Sequence, residues 1–104
     1  MVAERSRALH AAVAERLRAD PELVGKALAR VEVWLEDKSV ARPYAEAWQV
    51  LLGGSLADIT LALCEDSERM HDLRQVSPFA GVLDPRTRWR IHREVGERFA
   101  HETR

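Results

Sequence analysis

The sequence predicts a small all-α domain of five or six helices, and three observations carry that prediction. Apolar residues recur at three- and four-residue intervals along most of the chain. Helix-start signals, Asp20-Pro21, Ser55 and Asp84-Pro85, stand directly before those runs. No stretch sustains a period-two alternation, and no Asn-Gly pair offers a hairpin turn. At 104 residues the expectation is one domain over 1–104. Such a chain can bury roughly 65% of its unfolded surface without a covalent staple.

Taken in order, the first helix is expected from about Ala3 to Arg18, with Leu9, Val13 and Leu17 four apart and Ala12 beside them. Asp20-Pro21-Glu22 then supplies an N-cap, a proline at the first helical position and an acid facing the positive end of the dipole. Leu23, Ala27, Leu28, Val31, Trp34 and Leu35 continue at helical spacing to about Asp37, with Trp34 expected in the core. After a connector at Lys38–Arg42, Pro43 can open a third helix in which Tyr44, Trp48, Leu51 and Leu52 share a side. Gly53-Gly54 should end it, because glycine tolerates a left-handed terminus. Ser55, with Asp58 three residues on, is a variant of the capping box and predicts a fourth helix burying Leu56, Ile59, Ala62 and Leu63. Glu65-Asp66-Ser67 offers another cap, before a short helix with Met70 and Leu73 that reaches about Val76. The last helix should run from Pro85 to about His101.

Composition narrows the function classes. Hydrophobic residues are 46% and charged residues 32%, a mixture able to bury a core and solvate a surface. The single Cys64 excludes an internal disulfide framework and fits a reducing compartment. No apolar run reaches the ~18 residues of a membrane span. Charged residues interrupt the stretch from Met1 to Asp20, so a signal peptide is not expected there. The expected location is cytoplasmic, with no membrane association. Net charge is −1 but unevenly spread: residues 1–19 carry +2, 20–46 carry −2, 55–75 carry −3 and 84–104 carry +2. A dedicated nucleic-acid binder shows a broader basic excess, because phosphate neutralisation supplies most of its affinity.

The stretch from Ser77 to Pro85 stands out, with five mainly apolar residues held between two prolines before an arginine-rich helix. Projected at about 100° per residue, Ile91, Val95 and Phe99 form one stripe of that helix, suited to a core. Trp89 lies about 160° away from Ile91, with Arg86, Arg93 and Arg104 near it, Arg90 on the flank and Gly96 leaving space beside it. An exposed Trp among guanidinium groups is a contact surface, since Trp and Arg are enriched at interface hot spots and Arg pairs bidentately with carboxylates or phosphates. The alternative is that Phe79, Val82 or Leu83 folds back over Trp89, leaving the arginines as a solvated face with partners such as Arg90–Glu94 and Arg93–Glu97. The loop carries the same choice between tucking against the domain and staying exposed as an adhesive segment.

Signals for chemistry are few. His10, His71, His92 and His101 have no metal-ligand spacing and read as surface or boundary residues. Cys64 ends an apolar face, as a small core residue does. Glu36-Asp37 and Glu65-Asp66 look like helix-end acids, and there is no GxGxxG, P-loop or GxSxG motif. Neither catalysis nor a cofactor or metal is expected. The helices at Ser55–Cys64 and Ser67–Gln75 match a helix-turn-helix, with Ser67, Arg69, His71 and Gln75 as groove-facing candidates. Glu65, Asp66, Glu68 and Asp72 would meet phosphates there and be repelled.

The run Ser-Pro-Phe-Ala-Gly-Val-Leu-Asp-Pro-Arg-Thr-Arg-Trp-Arg-Ile-His-Arg-Glu-Val, Ser77–Val95, resembles a C-terminal segment of small helical bacterial proteins encoded beside toxin genes as antitoxins. The resemblance covers about a fifth of the chain. It implies a protein that binds and silences a toxin and represses its own operon. The segment has neither the basic arm nor the ribbon-helix-helix pattern of familiar antitoxin DNA-binding domains, which sets protein binding ahead of DNA binding. The expected function is thus a non-enzymatic protein-binding module, antitoxin-like. Phe79, Val82 and Leu83 would anchor the contact, and Trp89, Arg86, Arg90 and Arg93 would surround it. The alternatives are a helix-turn-helix regulator reading DNA and a homo-oligomeric protein, such as a homodimer, using the Trp89 face reciprocally.

Overall fold

The computed structural model describes residues 2–102, and the side chains of residues 4–98. It contains six α-helices: α1 (Val2–Ala19), α2 (Leu23–Asp37), α3 (Arg42–Leu52), α4 (Leu56–Cys64), α5 (Glu68–Arg74) and α6 (Pro85–Glu102). No strand occurs among the described residues, so the all-α class is as expected. The central helix is α1, which packs most extensively on α4 and also on α5 and α6. The second close pair, α2 and α3, forms a hairpin that meets α4 and α5 through α3. The body is elongated, 47 × 28 × 23 Å.

Local chemistry explains the helix limits. The Ser55 hydroxyl accepts the Asp58 N–H at 3.1 Å, and the Ser67 hydroxyl accepts the Met70 N–H at 3.3 Å, so both expected caps form. Asp84 caps α6 by accepting the Thr87 N–H at 2.8 Å, and these donors hold its carboxyl below the usual range. The start of α2 differs from expectation. Asp20 contributes its carbonyl to the Leu23 N–H rather than a side-chain cap, and the helix follows a tight turn at Pro21-Glu22. The end of α3 differs in mechanism. Gly53 has a right-handed φ of −81°, and the left-handed positions among the described residues are Lys38 (φ 58°) and Gly81 (φ 85°). Glycine suits Gly54 because a Cβ there would stand 3.3 Å from the Leu51 carbonyl.

The buried apolar residues form one continuous cluster to which every helix contributes, from Val13 and Leu17 through Val31, Trp48, Ile59 and Leu73 to Ile91 and Val95. Trp34, expected in the core, is half-buried at its margin, and Tyr44 is more exposed than its neighbour Trp48. Thr60 is buried because its hydroxyl donates within α4, to the carbonyls of Leu56 and Ala57, both at 3.0 Å. The expected roles of Phe99 in the core stripe and Arg104 on the basic face lie outside the described side chains, as does His101.

Candidate functional site

The loop between α5 and α6 is tucked, and polar contacts hold it at both flanks. Phe79 is 4% exposed, with its ring edge-on to Trp48 (centroids 5.9 Å apart) and to His10 (6.4 Å). The Trp48 Nε1–H donates to the Leu73 carbonyl at 3.1 Å, which satisfies the one polar atom of that buried ring. Arg30 on α2 donates to the Ala80 carbonyl at 3.0 Å. His10 Nδ1 lies 2.7 Å from the Ser6 carbonyl, an acceptor only, so that nitrogen carries the proton. Nε2 is then free to accept the Ser77 hydroxyl at 2.8 Å, while Ser77 Oγ accepts the Phe79 N–H at 3.2 Å. Burial, followed by the positive charge of Arg74, pushes the His10 pKa down against the raising effect of the Ser6 carbonyl.

These contacts correct two expectations. Phe79 and Leu83 (7% exposed) belong to the core, so neither presents an apolar anchor to a partner in this conformation. Val82 is half-buried and packs against the same cluster. Burying the apolar loop against the core, with Phe79 on Trp48 of α3 and His10 of α1, is more favourable than leaving it in water. His10, read from sequence as a surface or boundary residue, is 6% exposed and organises the loop. A Ser–His pair at this distance resembles a nucleophile with its base. Here the Ser77 oxygen is engaged by the Phe79 amide, the arrangement of a turn-forming serine, so the pair fixes backbone.

A second polar cluster closes the C-terminal end of α4. Arg7 Nε donates to the Cys64 carbonyl and Arg74 Nη1 to the Leu63 carbonyl, both at 3.0 Å. Two cations thereby cap the negative end of that helix. Arg74 is 3% exposed, its Nε and Nη2 have no partner, and burial lowers its pKa. Cys64 is half-buried.

The α6 surface matches the exposed alternative. Trp89 is 70% exposed, and no loop residue covers it. A shallow depression of about 410 Å³ is lined by Asp84, Arg86, Thr87, Trp89, Arg90 and Arg93. Arg90 and Glu94 approach at 3.9 Å, the weak exposed pair that their spacing predicts. The expected Arg93–Glu97 pair does not form, and among the described residues neither Arg86 nor Arg93 makes an ion pair. Helical periodicity on the buried stripe, Ile91 and Val95, is what turns these side chains outward.

The helix-turn-helix candidates divide, two engaged within the fold and two on an acidic surface. The Ser67 hydroxyl is occupied by the α5 cap, and His71 is half-buried with Nε2 2.9 Å from Asp66 Oδ1. Arg69 and Gln75 are exposed, but Glu65, Asp66, Glu68 and Asp72 are exposed around them. The α5 helix is only seven residues long. Among the described residues no cluster of His, Cys, Asp or Glu could hold a metal ion, and no helix is long and apolar enough to cross a membrane.

Comparison with protein-family models, curated proteins and solved structures finds no match to this chain.

Proposed function

We propose that the chain is a non-enzymatic protein-binding module of the antitoxin type, docking through the Trp89 face of α6. The observation that supports this reading is Trp89 itself, an aromatic left 70% exposed and bordered by Arg86, Arg90 and Arg93. Leaving a tryptophan in water forgoes the ~1.5–3 kcal/mol that burying a large apolar side chain would contribute. Covering it with a partner recovers that energy. The guanidinium groups beside it fit carboxylates at the rim of a partner's apolar pocket. The partner is a protein with such an acid-rimmed pocket, and a toxin encoded beside this chain is the candidate.

Capture from the native organism with the tagged chain, followed by mass spectrometry, tests the reading. A stoichiometric protein companion is expected to come down with the wild type and to be lost with Trp89→Ala/Arg93→Glu while helicity is unchanged. Retained binding by that variant would refute the assignment. Sequence-specific duplex DNA captured in place of a protein would favour the regulator reading, whose candidate residues lie in an acidic surround.

A further inference from the structure

Two exposed patches on this chain share one spacing with opposite charge. On α6, Trp89 is 70% exposed, with Arg86 three residues before it and Arg93 four after. On α4, Leu61 is also 70% exposed, with Asp58 three residues before it and Glu65, the C-cap residue, four after. All four charged residues are exposed, and among the described residues none is in an ion pair. Each patch is an apolar residue with two like charges on one side, and the signs are opposite.

The register decides how the patches can meet. At about 100° per residue, the positions three before and four after a central residue both fall about 40–60° to the same side of it. Face-to-face packing of two helices puts those sides together only when the helices run antiparallel. A rise of about 1.5 Å per residue then sets Arg93 about 6 Å and Asp58 about 4.5 Å beyond the centre at one end. Arg86 and Glu65 sit at the same two distances at the other end. Both ion pairs close while Trp89 and Leu61 cover each other. A parallel crossing would put the charges on opposite sides.

We infer that a second copy of this chain docks its α4 patch, Asp58–Leu61–Glu65, antiparallel onto the α6 patch, Arg86–Trp89–Arg93. The contact stands independently of the partner reading above, although both use the Trp89 face, so a bound partner would displace the second copy. It is heterologous, one patch against a different patch, and distinct from a Trp89-to-Trp89 dimer. Exposed charge pairs make it weak and salt-sensitive.

Sedimentation equilibrium on the purified full chain tests this, with circular dichroism to verify folding. The wild type should show an average mass that rises with concentration above 11.8 kDa and falls back with added salt. Asp58→Arg/Glu65→Arg and Arg86→Glu/Arg93→Glu should each associate on the order of tenfold or more weakly. Mixing the two variants should restore association, because one still carries the native α4 patch and the other the native α6 patch. Self-association of the α4 variant at wild-type strength would overturn the inference, as would a wild type that stays monomeric throughout. Neither outcome bears on capture of a partner by Trp89, which the α4 substitutions leave untouched.

Discussion

Replacing Phe79 by alanine separates a core residue from a surface anchor. The ring is 4% exposed and makes edge contacts with both Trp48 and His10. Truncating a buried Phe costs about 3–5 kcal/mol, the lost edge-on aromatic contacts included. A domain of this length has about 5–15 kcal/mol in total, so the change removes a large share. Taking ~4 kcal/mol and roughly 4–8 °C per kcal/mol, the Tm should fall by about 15–30 °C. Urea denaturation followed by circular dichroism reads the loss as a lower midpoint at unchanged slope. Trp89→Ala is the control and should stay within about 0.5 kcal/mol of wild type, since its side chain is mostly in water. A Phe79→Ala loss below about 1 kcal/mol would refute the tucked loop.

His10 gives a pH dependence with a fixed sign. Its folded pKa lies below the ordinary value near 6.5, so the unfolded chain takes up the proton first and stability drops as pH falls through that interval. Within the interval each pH unit costs up to about 1.4 kcal/mol, and His10→Gln should flatten this part of the profile measured by urea titration. An unchanged slope would show that His10 titrates freely in the fold. Arg74→Met tests the buried guanidinium, which makes one hydrogen bond and leaves two nitrogens without partners. Removing the charge while keeping the volume should leave stability within about 1 kcal/mol or raise it, whereas Arg74→Ala should lower it by about 2–4 kcal/mol through the cavity. Thermal melts of the two variants compare them directly.

The helices were legible because their signals are local. Ser55, Ser67 and Asp84 each bind an amide three residues away, and the apolar periods of α2 and α6 mark the stripes that are buried. The outward turn of Trp89 followed from the same periodicity. Whether Phe79 faced a groove in this protein or in another depended on partners remote in sequence, Trp48 on α3 and His10 on α1, and no local pattern encodes that choice. His10 was missed for the same reason, since its hydroxyl partner lies 67 residues away. One signal was available: Ser77 precedes Pro78-Phe79, where a serine oxygen can accept the amide two residues on.

The separation between His10 and Ser77 also sets an order of assembly. Non-local contacts form only after the entropy of closing the intervening chain has been met, so the pairs that span 50 and 67 residues, Arg30–Ala80 and His10–Ser77, are late events in folding. The chain that follows them, α6, also seats on α1, a contact between the two ends of the described chain that carries the same closure cost.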